Sequence, residues 1–262
     1  MTKIGSLFSG IGGFEYGIES AIENSKTIWQ VEENKSCQAI LKKHWPQADL
    51  FDDVRSVGAH NLQYVDILTG GFPCQDISAA NPRGRGLHGE KSSLWWEAWR
   101  ITRELRPRVI IVENSSILSI RGLSVVLGSL ASIGYDAEWA TLRASWFGSP
   151  QRRDRCYIIG YPCGVLDDRQ TITDTNKERS RAQDAIRARR ATVDAHDNTR
   201  ISGYWKEREA PAPICRVDNG ISRELYPHRR KRIEALGNSI VPQIAYFLGK
   251  RIYESGLLSG DR

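Results

Sequence analysis

The chain has 262 residues, with 37 Lys or Arg against 31 Asp or Glu and a formal net charge of +6. At 40% hydrophobic and 26% charged residues it has the make-up of a globular domain, which excludes a disordered or collagen-like chain. It holds no run of 18 apolar residues, so no membrane-spanning helix is expected, and Met1–Phe8 is too short an apolar run for a secretory signal.

The elements are read in chain order. Ile4–Phe8 is a strand that runs into a glycine cluster, and Phe14–Asn24 has helical periodicity. Thr27–Val31 is a second strand, followed by a helix over Lys35–His44. Asp66–Leu68, within Tyr64–Leu68, is a further strand. A helix over Leu94–Leu105 leads to the buried strand Val109–Val112. Leu123–Ile133 is helical, and Ala137–Leu142 and Cys156–Ile159 are later strands. Strands alternating with helices of this length predict an α/β fold with a mostly parallel sheet. After Tyr161 the texture changes. Residues 169–208 hold ten basic and six acidic side chains, and Ala182–Ala191 reads as an exposed basic helix or a solvated surface segment. Beyond about residue 217 the chain is structured again. Ile240–Ile252 carries an apolar helical face (Ile240, Ile244, Phe247, Leu248, Ile252) expected to pack back on the main domain. The expected division is 1–160 for the main domain, 161–220 for a small polar region and 221–262 for a returning segment.

The five cysteines, Cys37, Cys74, Cys156, Cys163 and Cys215, are odd in number and form no CxxC pair. That argues against a disulfide framework and a zinc site, and for a reducing compartment; no metal is expected. The basic excess fits a polyanionic partner.

Several segments carry chemistry. In Ser9-Gly10-Ile11-Gly12-Gly13, glycines after a strand permit positive φ and let backbone N–H groups approach a ligand, although a tight strand–helix turn needs them too. Glu32, at the end of the second strand, is placed to accept hydrogen bonds from both ribose hydroxyls. Asp53 is placed to accept from an adenine amino group; Asp52 and Asp53 also read as a helix N-cap pair. Together they predict an adenosine-bearing cofactor at the carboxyl ends of the strands. In Gly71-Phe72-Pro73-Cys74-Gln75, proline fixes the backbone before the thiol. A lone Cys is usually a small buried hydrophobe, but a Gly/Pro-rich polar loop after a strand is where a nucleophile sits. The segment Ala79–Gly89, with Arg83, Arg85 and His88, suits a basic lid over an anionic substrate, or a surface loop. Glu113-Asn114 follows the buried strand, where desolvation raises a carboxyl pKa and makes it a proton donor; a helix N-terminus would also favour it. Arg153 and Arg155, two apart in an extended stretch, point to one side and suit an anion.

These motifs, in this order, resemble the DNA (cytosine-5) methyltransferase family. Leu7 to Gly13 is similar to its S-adenosylmethionine loop, with Phe8, Gly10, Gly12 and Gly13 at the cofactor. Glu32 and Asp53 match the ribose and adenine acids. Gly71-Phe72-Pro73-Cys74-Gln75 matches the PCQ turn, with Phe72 beside the cofactor, and Glu113-Asn114 matches ENV. Gln151-Arg152-Arg153-Asp154-Arg155 matches QxRxR. Gly237-Asn238-Ser239-Ile240-Val241-Pro242-Gln243 matches the closing GNxxxP, where Asn238 and Ser239 complete the cofactor pocket. Ser6 stands where many members have Asp, Ser115 replaces the Val of ENV, and no RLQGFP-like segment precedes the closing motif.

The resemblance implies a Rossmann-like domain with a small recognition domain, S-adenosyl-L-methionine as cofactor, and methylation of cytosine carbon 5 in double-stranded DNA. It implies Cys74 as nucleophile to a flipped-out base, Glu113 as its proton donor, and Arg153 and Arg155 as base or loop supports. Gln75, Ser78, Arg83 and Arg85 become DNA contacts. The implied setting is a cytoplasmic monomer without a membrane, beside a cognate restriction endonuclease where the enzyme belongs to such a pair. One branch of the family modifies tRNA, but its Cys-Phe-Thr element is not found here. A non-catalytic DNA-binding relative would have no need of both Cys74 and Glu113.

Overall fold

The computed structural model describes residues 1–72, 94–149, 152–166 and 238–259. Its elements are β1 (Thr2–Leu7), α1 (Gly13–Ala21), β2 (Ser25–Val31), α2 (Lys35–His44), β3 (Asp49–Phe51), β4 (Ile67–Gly70) and α3 (Leu94–Leu105). These are followed by β5 (Val109–Ser115), α4 (Leu118–Arg121), α5 (Leu123–Ser132), β6 (Tyr135–Arg143), β7 (Asp154–Pro162) and α6 (Pro242–Glu254). One seven-stranded sheet runs β3-β2-β1-β4-β5-β7-β6. The pairs from β3 through β5 are parallel. β7 lies between β5 and β6 and is antiparallel to both.

The near-continuous apolar runs of β4 and β5 follow from burial on both faces. On one face Trp29, Leu68, Ile110, Val112 and Ile158 pack with Trp95 and Ile101 of α3 and Leu130 of α5. The Trp95 indole N–H donates to Ser129 Oγ at 3.1 Å, tying α3 to α5. On the other face Ile4, Ile67, Val109, Ile111 and Ile159 pack with α1 (Phe14, Ile18) and α6 (Ile244, Leu248, Ile252). The expected return of the C-terminal helix is therefore observed. α2 starts at Asn34, whose side chain accepts from Ser36 N at 2.9 Å and Cys37 N at 3.4 Å.

Some boundaries differ from expectation. β5 continues through Glu113 and Asn114 to Ser115, so both polar residues lie inside a strand and not at a helix N-terminus. Their pairing with Tyr157 and Cys156 of β7 extends the ladder. Asp66 precedes β4. Its carboxylate accepts Lys3 N at 2.8 Å and lies 3.5 Å from Arg108, at the edge opposite the loops that follow β1, β2 and β4. β3 and the single turn α4 were not read from the sequence as separate elements. The basic helix over 182–191, the lid 79–89 and nearly all of 161–220 lie outside the described residues. Among those described, no helix is long and apolar enough to cross a membrane.

Candidate active site

The first half of the site is built at the carboxyl ends of β1 and β2. Phe8 leaves β1 with φ +55, a left-handed conformation uncommon for a bulky residue, and Gly10 and Gly12 have φ +58 and +89. The loop is pinned by three hydrogen bonds. Ser9 N–H donates to Val31 O at 3.1 Å, Gly12 N–H to Ser9 O at 3.0 Å, and Gly10 N–H to Glu32 Oε2 at 2.8 Å. The other Glu32 oxygen accepts Asn34 N–H at 2.8 Å. Glu32 is 9% exposed, and burial raises its pKa against those two hydrogen bonds. Its carboxylate thus ties the glycine loop to the start of α2 while each oxygen retains a lone pair for a ligand.

Beside Glu32 lies a cleft of about 280 Å³, walled by Phe8, Val31 and Leu94 and rimmed by Asp52, Asp53 and Arg55. Asp53 is both cap and rim. Its Oδ1 accepts Arg55 N–H at 2.9 Å, capping the single helical turn Val54–Ser56. Asp52 lies 3.7 Å from Lys35 across the same rim. Arg100 of α3 anchors this turn from below by donating to Val54 O at 3.2 Å and Val57 O at 2.8 Å. Apolar walls from Phe8, Val31 and Leu94, with Glu32 beside the glycine loop and Asp52 and Asp53 at the rim, suit an adenosine-bearing group.

The second half centres on Glu113, at 7% exposure. Its Oε1 lies 3.0 Å from Arg155 Nε. Its Oε2 stands against Gly71, where even a methyl group would be tight at 3.3 Å. Burial raises the Glu113 pKa; the charges of Arg155 and Arg153 oppose this. Registry explains the arrangement. Glu113 pairs with Tyr157 and Ser115 with Arg155, so these side chains share one face, and Arg153 follows in step. The charges of Arg153 and Arg155 both bear on Glu113. Asn114 points to the opposite face, where its amide donates to Phe72 O at 3.1 Å. One strand therefore holds the buried acid and grips the start of the cysteine turn. Phe72 is itself buried, its ring 5.6 Å from that of Trp95.

The closing segment joins the two halves. Ile240 lies against Gly13 and, through its Cδ1, against Gly71; Pro242 O and Ala245 lie against Gly17. Ser239 Oγ donates to its neighbour's carbonyl, Ile240 O, at 3.0 Å, and Asn238 is exposed. Cys74, Gln75, Ser78, Arg83 and Arg85 lie outside the described residues. The anchoring roles of Asn114 and Arg100 were missed by sequence reasoning, because each acts on a backbone carbonyl that no spacing rule identifies. Among the described residues, no group of three or more His, Cys, Asp or Glu is placed to hold a metal ion.

Comparison with known proteins gives the family and the fold. The family described as C-5 cytosine-specific DNA methylase matches residues 2–213, and the chain belongs to it. It is 33% identical over 167 residues to the Type II methyltransferase M.Bsp6I of Bacillus sp. (strain RFL6), covering 62% of this chain and 52% of that protein. It is 34% identical over 155 residues to the Type II methyltransferase M.CviJI of Paramecium bursaria Chlorella virus IL3A, covering 58% and 41%. The chain thus spans about half or less of the length of these relatives. Among solved structures, the S. pombe Dnmt2 methyltransferase superposes with a TM-score of 0.54 at 17% identity, covering 64% of this chain and 53% of that one. That likeness gives the fold, a Rossmann-like methyltransferase sheet.

Proposed function

We propose that this protein methylates carbon 5 of cytosine within a specific sequence of double-stranded DNA. The observation that carries the reading is the double use of β5. Glu113 is buried against Gly71 and Arg155, and the adjacent Asn114 holds Phe72, two residues before Cys74. Phe72, the residue that leads toward Cys74, is thus tied to the strand that carries the buried acid, which supports reading Cys74 and Glu113 as partners.

S-adenosylmethionine would be held in the cleft beside Glu32 by Phe8, the glycine loop, Asp53 and Glu32 itself, with Phe72, Asn238 and Ser239 as further contacts, and would supply an electrophilic methyl group. The chain's own residues do the rest. The Cys74 thiolate adds to cytosine C6, forming a C–S bond and pushing the ring electrons toward C5. Glu113, as a carboxylic acid, gives or shares its proton with ring N3, so negative charge does not build on the base. Arg155 pairs with the Glu113 carboxyl, and Arg153 would hold the base O2. C5 would take the methyl group as its bond to the sulfonium sulfur breaks, leaving a neutral thioether; the C5 proton then passes to solvent, the C6–S bond breaks to release Cys74 as thiolate, and N3 returns its proton to Glu113. The base must leave the duplex to reach this site, which costs a few kcal/mol. Lid contacts from Arg83 and Arg85, with Gln75 and Ser78, would offset that cost. Residues 161–220 are assigned to target recognition, with 1–160 and 221–262 forming the catalytic body.

The test is bisulfite sequencing of DNA from a host expressing the protein. A single protected cytosine context is expected with the wild type, and none with Cys74→Ser. Uniformly unprotected DNA from a soluble wild-type protein that binds S-adenosylmethionine would overturn the reading.

A further inference from the structure

Glu15 is a fully buried acid that the proposed chemistry leaves unused. It sits in the first turn of α1, directly beneath the glycine loop. Its Oε1 accepts from Gln30 Nε2 of β2 at 3.0 Å. Its Oε2 is buried with no well-aligned hydrogen bond, although the hydroxyls of Ser6 and Ser9 face the same carboxyl. Those hydroxyls meet each other, with Ser9 Oγ 2.9 Å from Ser6 Oγ and 3.2 Å from Ser6 O. Ser9 is the hinge of the loop. Its N–H is held by Val31 and its carbonyl by Gly12, and the next N–H, that of Gly10, binds Glu32. The groups around Glu15, namely Ser6, Ser9, Gln30 and its own backbone N–H, are all neutral.

We propose that Glu15 is a positioning residue, which fixes Ser9 from below and so sets the shape of the glycine loop and its affinity for the cofactor without touching it. This rests on the reading that the loop binds S-adenosylmethionine. The physical argument is one of satisfaction. Burial among neutral groups raises the pKa of Glu15 and so favours its neutral, protonated form. A proton on Oε2 would give that buried atom a use: donated to a serine hydroxyl, it would continue the chain from Gln30 through Glu15 to Ser9 and Ser6. The residues of that chain belong to β1, β2, α1 and the loop. An apolar replacement would leave the Gln30 amide and the serine pair short of partners in a dry site, and the loop is the part free to move in response.

Glutamine copies the length and neutrality of the acid and keeps one donor and one acceptor. Methionine keeps only the length. In Glu15→Met, the Kd for S-adenosylmethionine is expected to rise about tenfold or more, the factor that one unsatisfied buried partner costs. In Glu15→Gln it is expected to stay within about twofold of wild type, and kcat at saturating cofactor should change little in either variant. Amide hydrogen exchange supplies a readout that needs no cofactor. The Gly10 and Gly12 amides should exchange faster in Glu15→Met and at the wild-type rate in Glu15→Gln. Should Glu15→Met not fold, Ser9→Ala, which removes the hydroxyl at the loop, is expected to speed the same two amides. Unchanged Gly10 and Gly12 exchange in the folded Glu15→Met variant, or in Ser9→Ala where that one serves, overturns the inference. So does a Glu15→Gln variant as impaired as Glu15→Met. A wild-type protein that shows the exchange pattern but binds no S-adenosylmethionine would instead overturn the reading of the pocket and the affinity half of the inference, leaving the positioning of the loop intact.

Discussion

Glu113 is held between two opposing influences. Burial favours its neutral form, and two guanidiniums favour its charge, with burial the stronger. A carboxyl pKa raised in the folded protein keeps the proton to higher pH, so a step that needs the acid form is present at low pH and fades as pH rises through that value. Single-turnover methylation is therefore expected to show an alkaline limb. Glu113→Gln should slow the chemical step by about 10²-fold or more and abolish that limb. Arg155→Gln removes the nearest charge that pulls the pKa down, so the limb in its residual activity should move to higher pH. A limb that stays in place in Arg155→Gln would separate it from Glu113. The neighbouring thiol of Cys156, pushed up to about 11 by burial and then by Glu113, is inert by the same physics and offers no competing nucleophile.

At the scale of elements, the site depends on helices that approach closely. Gly17 of α1 faces Pro242 O, Ala245 and Tyr246 N at the start of α6, and an added Cβ would collide with backbone there. In an isolated helix Gly→Ala gains about 1 kcal/mol. Against a backbone wall, overpacking costs about 1–3 kcal/mol and should win. Gly17→Ala is expected to lower the urea midpoint, and a raised midpoint would show that α1 and α6 have slack. This level of structure was only partly legible. α2 and α3 match their expected bounds end to end, because their apolar periodicity and, for α2, the Asn34 cap are local signals. The Val109–Val112 run was legible as a buried strand. Its extension across Glu113-Asn114 was not, since the groups those residues meet, the Arg155 guanidinium and Phe72 O, are distant in sequence. Nor was the reversal of β7 visible, because Cys156–Ile159 is as apolar read in either direction. The left-handed Phe8 runs against the preference of its residue type and is imposed by the loop around it. Of the site, the order of motifs was legible and their meeting points were not.

For the whole molecule, the net charge of +6 is unevenly placed, with a basic excess in 169–208 and acids at the cofactor cleft. If that excess meets duplex phosphates, even two contacts make affinity fall at least about tenfold between 50 and 200 mM salt. Fluorescence anisotropy with a short duplex should show that fall, and a flat response would remove DNA phosphates from the account. The packing of α6 on α1 also has a meaning in time. The apolar face of the first helix, Phe14 and Ile18, is covered by Ile244, Leu248 and Ile252, which a ribosome makes more than 220 residues later. At about 5–20 residues per second, that leaves the first helix bare for on the order of 10–40 s during synthesis. Because Ile240 also lies against Gly13, the glycine loop too waits for a segment made more than 220 residues after it.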